Sequence, residues 1–296
     1  MPTVELVQVS TADGVRLDGA WQAAPAGATS ALEVDAAILV HGTGANFYGS
    51  TLTEHLAAAL ADQATAVLRV NTRGHDLMCT LAGGDGPRLG GAAYERVSDC
   101  AYDLSAWVEW AQQRGAQRIA LVGHSLGALK SIYALAQEAA PRVARLVAIS
   151  PPRLSYQAFM VSEKRDEFLA QLAEAQYRVD AGEGQTLLSI RFPLPYTLTA
   201  AGFVDKYGPL ERYHVLPLLP SIGCPVLVVY GSQEVATNVA FREMPSLVEA
   251  LPPGRAVREV AVVAGADHFY SSARSELSSR VVRWLRRSLA SGTLSD

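Results

Sequence analysis

Apolar residues along this chain keep two rhythms: short unbroken runs, and longer stretches in which an apolar stripe recurs at helical spacing. Ala36 to Val40, Ala66 to Val70, Arg118 to Val122, Val143 to Ile149 and Pro225 to Tyr230 are runs of the first kind and read as buried strands. Thr51 to Asp62, Tyr94 to Gln113 and Gly127 to Gln137 lie between them and read as helices. In the longest, Val97, Ala101, Leu104, Val108 and Ala111 share one face while Glu95, Asp99, Asp103 and Gln112 lie off it, so the stripe faces the core. Such alternation predicts an α/β fold, a mostly parallel sheet with helices on both faces. Ahead of it, Val4 to Val9 and Val15 to Trp21 flank Ala12-Asp13-Gly14, the pattern of an antiparallel hairpin. After it come a helix near Phe241 to Leu251, a strand Val257 to Val263, and an amphipathic helix carrying Leu277, Val281, Trp284, Leu285 and Leu289. The last residues, Ser291 to Asp296, read as a frayed end.

From Pro151 to about Pro220 the rhythm breaks into two helical pieces joined by Gly182-Glu183-Gly184 and Arg191-Phe192-Pro193-Leu194-Pro195. The expected organisation is therefore a core of residues 1–150 and 221–296 with an inserted helical cap over 151–220. Phe159, Met160, Phe192, Leu194, Tyr196, Phe203 and Tyr207 either roof an apolar pocket or pack the cap onto the sheet, and the pattern supports both equally. Gly182 and Gly184 are candidate hinges.

Composition removes several classes of function. The net charge is −4 with both signs interspersed, so no basic stripe offers itself to nucleic acid or a membrane surface. Arg283, Arg286 and Arg287 read as a solvated helix face. The three cysteines, Cys79, Cys100 and Cys224, are odd in number and lack metal-ligand spacing, which fits a reducing compartment and no zinc site. The first residues have neither the basic start nor the apolar core of a signal peptide, and no segment approaches a membrane span; a cytoplasmic location is the expectation. Gly83-Gly84-Asp85-Gly86 through Gly91 lacks the lysine and serine of a phosphate loop and reads as a mobile loop. No dinucleotide fingerprint or metal cluster is visible, so chemistry without cofactor or metal is expected.

One pentapeptide carries chemistry. Gly123-His124-Ser125-Leu126-Gly127 follows a strand-like run and opens a helix-like stretch, Ala128 to Ala140. A strand, a sharp turn and a helix lift a serine hydroxyl above the end of a sheet. Glycine is wanted at 123 and 127 because side chains there would collide across so tight a turn. A serine hydroxyl is a poor nucleophile at neutral pH and needs a base. His268, in a loop just after a strand, is placed to reach it. The base in turn needs a carboxylate to fix its tautomer. Glu234 follows Gly231 at the end of an apolar strand, with Asp267 the substitute and an exposed loop residue the other reading of Glu234. Leu126, at the helix start, offers a backbone N–H to a developing oxyanion.

With His41-Gly42-Thr43-Gly44, Gly231-Ser232-Gln233-Glu234 and Gly265-Ala266-Asp267-His268 beside that pentapeptide, the chain resembles the α/β-hydrolase family over nearly its whole length outside the cap. Serine, acid, histidine is that family's chain order. The resemblance implies Ser125 as nucleophile, His268 as base, Glu234 where the family usually shows aspartate, and Thr43 as second oxyanion donor, with Gly44 as the other choice. It implies that His41 supports the oxyanion loop and that Arg73, in Asn71-Thr72-Arg73-Gly74-His75, braces loops. Asn46, Phe47 and Tyr48 border the site, and with Gly44, His124, Phe159, Phe192 and Tyr196 they are the candidate pocket residues. His55, His75 and His214 have no motif around them. The implied activity is cleavage of a carboxylic ester or thioester through an acyl-enzyme. Acyl transfer, lactone opening and non-catalytic ligand binding are the alternatives on the same frame. A small ester-like molecule is the expected partner, and a homodimer is compatible with the sequence.

Overall fold

A computed structural model describes residues 3–84, 86–138 and 143–288. The predicted hairpin is present as β1 (Glu5–Ser10) and β2 (Arg16–Gln22), paired antiparallel. Alternation follows as β3 (Ala36–Val40), α1 (Thr51–Ala61) and β4 (Ala66–Val70), then a short hairpin of β5 (Cys79–Leu81) and β6 (Arg88–Gly90). It resumes with α2 (Cys100–Gln113), β7 (Ile119–His124), α3 (Leu126–Ala136) and β8 (Arg145–Ile149). The segment between β8 and the next sheet strand holds α4 (Tyr156–Met160), α5 (Arg165–Asp180), the hairpin β9 (Leu187–Ile190) and β10 (Tyr196–Thr199), α6 (Ala200–Tyr207) and α7 (Val215–Leu218). The chain closes with β11 (Val226–Gly231), α8 (Ser232–Thr237), α9 (Met244–Glu249), β12 (Arg258–Val263) and α10 (Arg274–Arg286).

Eight strands form one sheet in the order β1-β2-β4-β3-β7-β8-β11-β12, parallel from β4 to β12. A strand apolar at every position must be covered on both faces. The period of two divides the work: Ile38, Leu121 and Val228 face a core shared with Trp107, Leu129 and Ile132, and Leu39, Val122 and Val229 face one shared with Leu56, Leu60 and Val281. The carboxyl ends of β3, β7, β8, β11 and β12 therefore meet along one edge, where loops are free to carry chemistry.

Several expectations change. The stretch from Tyr94 becomes an α-helix only at Cys100, after a single 3-10 turn at Val97–Asp99, because the N–H groups of Tyr94 and Glu95 both turn back to Gly91 O. Glu95 and Asp103, expected off the buried face, are buried: Glu95 pairs with Lys130 at 2.5 Å and Asp103 with Arg73 at 2.8 Å. The glycine-rich stretch is tied down rather than free, since Val15 bridges Gly83 and Gly91 N–H donates to Arg73 O; Asp85 lies outside the described residues. Arg191 to Pro195 is the turn of the β9–β10 hairpin, not a link between helices. The helix expected near Phe241 is confined to α9, and α8 precedes it. Leu277, Val281, Trp284 and Leu285 are buried as expected, whereas Leu289, the run Ser291 to Asp296, and Ala139 and Ala140 lie outside the described residues.

Candidate active site

Ser125 occupies the one-residue corner between β7 and α3, at φ 55° and ψ −122°. That left-handed backbone costs on the order of 1 to 3 kcal/mol for a side-chain-bearing residue and persists only where the surroundings enforce it. They do here. Ser125 N–H donates to Ile149 O at 2.8 Å, anchoring the corner to β8. A Cβ on Gly123 would strike the Gly127 carbonyl, and one on Gly127 would strike the carbonyls of Val40 and His41. The two glycines let α3 pack hard against β7 and β3, and the hydroxyl stands out at the sheet's edge.

His268 lies in the loop between β12 and α10, with Nε2 at 3.0 Å from Ser125 Oγ and Nδ1 at 2.6 Å from Glu234 Oε2. A carboxylate can only accept, so Nδ1 carries the proton and Nε2 is left to accept from the serine hydroxyl. Glu234 is buried in the first turn of α8, not exposed on a loop. Its Oε1 accepts from Gly231 N–H at 2.7 Å and from Ser150 Oγ at 2.5 Å. Tyr270 OH completes the chain at 3.0 Å from Ser150 Oγ. The extra methylene of glutamate is used to fold back along the helix start, so one carboxylate caps α8 and orients His268 together. Asp267 does not substitute for it: its Oδ1 accepts from the N–H groups of Phe269 and Ser271 and shapes the histidine's loop.

Two further histidines are locked neutral. His41 Nε2 accepts from Thr72 N–H at 3.1 Å, so its Nδ1–H must donate to Gly42 O at 2.8 Å, as expected of a residue bracing that loop. Burial, with Lys130 nearby, lowers its pKa to about 4. His124 donates from Nε2 to His268 O at 2.8 Å, and its ring lies 4.9 Å from that of His268. Burial and the neighbouring His268 lower its pKa to about 3. His124 thus fixes the backbone of His268 while its own ring stays neutral. Arg73 braces loops as expected, donating to Asp13 and Asp103. Lys130, one turn into α3, donates to Thr72 Oγ1 at 2.9 Å and pairs with Glu95, which also faces Lys206 of α6 at 3.6 Å. Burial opposes ionisation of Glu95, but the two ammonium groups outweigh it and hold its pKa below the usual range.

Ser125 and His268 open into a cavity of about 480 Å3. Gly42 and Thr43 line it, and the backbone N–H groups of Thr43 and Leu126 donate to no protein acceptor among the described residues. Leu194 enters from the β9–β10 turn, and Phe269 and Arg274 from the other side of the sequence. Of the expected pocket residues only His124 lines this cavity. Gly44 packs against Leu77, Asn46 bonds Asp76 and the N–H groups of Tyr48 and Gly49, Phe47 N–H donates to Asn71 Oδ1, and Tyr48 is 69% exposed. The loop is instead represented by its small members, Ala45, Gly49 and Ser50. Phe159 and Phe192 are buried against each other and Phe168, and Tyr196 meets Lys206 and Tyr207, so packing accounts for them. Ser150 and Arg274 were not legible as site residues; no motif surrounds either. Among the described residues no group of His, Cys, Asp and Glu is arranged to hold a metal ion, and no described helix is long and apolar enough to cross a membrane.

A strand-to-helix serine, a histidine after the last strand and an acid after β11, all on one edge of this sheet, define an α/β hydrolase. The model of the alpha/beta hydrolase family matches residues 37–279, and the chain belongs to that family. Hydrolysis is the general activity this membership supports. Solved structures of like fold include Est1E from Butyrivibrio proteoclasticus with ferulic acid bound, at 16% identity and TM-score 0.64 over 94% of this chain and 97% of that one. An esterase from Pyrococcus furiosus aligns at 22% identity and TM-score 0.60 over 98% and 92%. The alpha/beta hydrolase GrgF from a Penicillium species aligns at 16% identity and TM-score 0.68 over 97% and 99%. At such identities the likeness is one of fold. No curated protein matches the chain.

Proposed function

We propose that the protein is a serine hydrolase that cleaves a carboxylic ester or thioester through an acyl-enzyme. The observation that carries this reading is the unbroken line Ser125 Oγ, His268 Nε2, His268 Nδ1, Glu234 Oε2, with contacts of 3.0 and 2.6 Å. His268 takes the hydroxyl proton as Ser125 attacks the carbonyl carbon, and buried Glu234 stabilises the imidazolium that results. The free N–H groups of Thr43 and Leu126 receive the oxyanion, and each such donor is worth about 3 to 4 kcal/mol of barrier. His268 then protonates the departing alcohol or thiol, and in a second round draws a proton from water, which releases the acid and restores Ser125. The reaction asks for no metal or cofactor. Residues 151–220 act as a cap over the core, with Leu194 as its contribution to the pocket. Free Cys79, Cys100 and Cys224 fit a cytoplasmic setting.

The test is turnover of a p-nitrophenyl ester series by the wild type, Ser125→Ala and His268→Ala, with products separated in the presence and absence of alcohol acceptors. Hydrolysis lost in both variants, with free acid as the main product, supports the reading. Undiminished turnover in Ser125→Ala, or ester exchange in place of acid release, overturns it.

A further inference from the structure

The cavity beside Ser125 carries a cation that no side chain neutralises. Arg274 lines it with Ser125 and His268, no carboxylate pairs with its guanidinium among the described residues, and its Nε is buried without an acceptor. On the same helix and just beyond it, Arg280 pairs with Glu276, Arg286 bonds Gln63 and Arg287 pairs with Glu259, while Arg283 lines no part of this cavity. No aspartate or glutamate lines the cavity. Arg274 is also the first residue of α10, where the helix's own dipole disfavours a positive charge. Glu276 in the same first turn answers that dipole but is paired with Arg280, so the Arg274 charge itself is left without a carboxylate partner among the described residues.

A second feature of the same sign borders the cavity. The N-terminus of α1 reaches it through Ser50, Thr51, Leu52 and Thr53. Ser50 caps that helix, its Oγ accepting from Thr53 N–H at 3.2 Å and its carbonyl from Glu54 N–H at 3.0 Å. The N–H groups of Thr51 and Leu52 donate to no protein acceptor among the described residues, which leaves the positive end of the helix open to an anion. Leu52, Leu194 and Phe269 supply apolar wall for the hydrocarbon that would join an anionic end to a scissile carbonyl.

Resting on the reading of Ser125 as nucleophile, we propose that the substrate is an ester or thioester that also carries a carboxylate, held by Arg274 and the first turn of α1. The planar guanidinium matches a carboxylate's two oxygens, and the cavity lining offers an anion two donors and no carboxylate. Arg274 is then the residue that selects substrate, while Ser125 and His268 act on whatever ester it admits.

The test compares kcat/KM for p-nitrophenyl hydrogen glutarate and p-nitrophenyl valerate, which differ chiefly in the terminal carboxylate. The wild type favours the anionic ester. In Arg274→Gln the ratio of the two falls about 10- to 100-fold, the loss expected for one charged hydrogen-bonded contact, and Arg274→Lys recovers part of it. A ratio that does not change in Arg274→Gln overturns the proposal. A second readout needs no turnover: Ser125→Ala binds glutarate in calorimetry, and Ser125→Ala/Arg274→Gln does not. If neither ester is cleaved but this Arg274-dependent binding is present, the anion site stands and the hydrolase reading falls. If esters are cleaved but glutarate fails to bind, the anion site falls and the hydrolase reading stands.

Discussion

Replacing Glu234 by glutamine isolates the electrostatic part of the site, because it keeps side-chain length and the start of α8 while removing one charge. The carboxylate uses Oε2 on His268 at 2.6 Å and Oε1 on Gly231 N–H at 2.7 Å and Ser150 Oγ at 2.5 Å. All three partners donate. An amide offers one oxygen and one NH2, so one side must fail. With the oxygen kept towards Gly231, the NH2 faces His268 Nδ1, the imidazole takes its other tautomer, and Nε2–H points at Ser125 with no lone pair to accept its proton. With the oxygen turned to His268, the NH2 faces the Gly231 N–H and leaves a buried donor unpaired, at about 1 to 3 kcal/mol. The first arrangement preserves the fold and loses the base. Such a tautomer error costs about 10^3- to 10^4-fold in kcat, or about 4 to 5.5 kcal/mol of barrier. The assay is p-nitrophenyl butyrate hydrolysis at saturating substrate, with thermal unfolding run alongside. Glu234→Gln retaining kcat within about tenfold of the wild type, while folded, would refute the role given to Glu234.

Three more outcomes follow from the same geometry. Gly127→Ala forces a methyl into the carbonyls of Val40 and His41, and urea unfolding should show a loss of about 3 kcal/mol or more, or no folded product; a variant of native stability contradicts that packing. His41 and His124, with pKa values lowered to about 4 and about 3, stay neutral in the fold while the unfolded chain protonates them near pH 6.5. Stability is therefore intact above that range and declines as pH falls towards 4, by on the order of 3 kcal/mol from His41 alone, so a melting temperature flat from pH 7 to pH 4.5 would count against it. Glu95→Gln leaves Lys130 and Lys206 buried without their counter-charge and should cost about 3 to 5 kcal/mol in denaturant unfolding; a change under about 1 kcal/mol would show that the cluster is not ionised as described.

What the sequence made legible was what depends on period and on chain order. Both faces of β3, β7 and β11 are apolar, so the runs that build the sheet stood out; Ser125 follows β7, Glu234 follows β11, and His268 lies in the loop after β12. Glycine at 123 and 127 announced the tight corner, because only a missing Cβ fits there. What stayed hidden depends on contacts distant in sequence. Asp103 reads as solvated on a helical wheel, yet Arg73, 30 residues earlier, folds back to satisfy it. Ser150 reaches Glu234 across 84 residues and carries no local signature. The aromatic residues at 159, 192 and 196 pointed equally to a pocket and to packing, since a ring is apolar in either place; α4 brings Phe159 and the β9–β10 turn brings Phe192 inward on Phe168. Leu194, exposed at that hairpin's tip, reaches the cavity instead.

The central claim, that Ser125 is a nucleophile activated by His268, is tested most directly by treating the folded protein with a fluorophosphonate and reading intact mass and the modified peptide. One adduct per chain on Ser125, absent from both Ser125→Ala and His268→Ala, is the result the account predicts. A folded wild type that takes no adduct, or an adduct on Ser125 undiminished in His268→Ala, would contradict it.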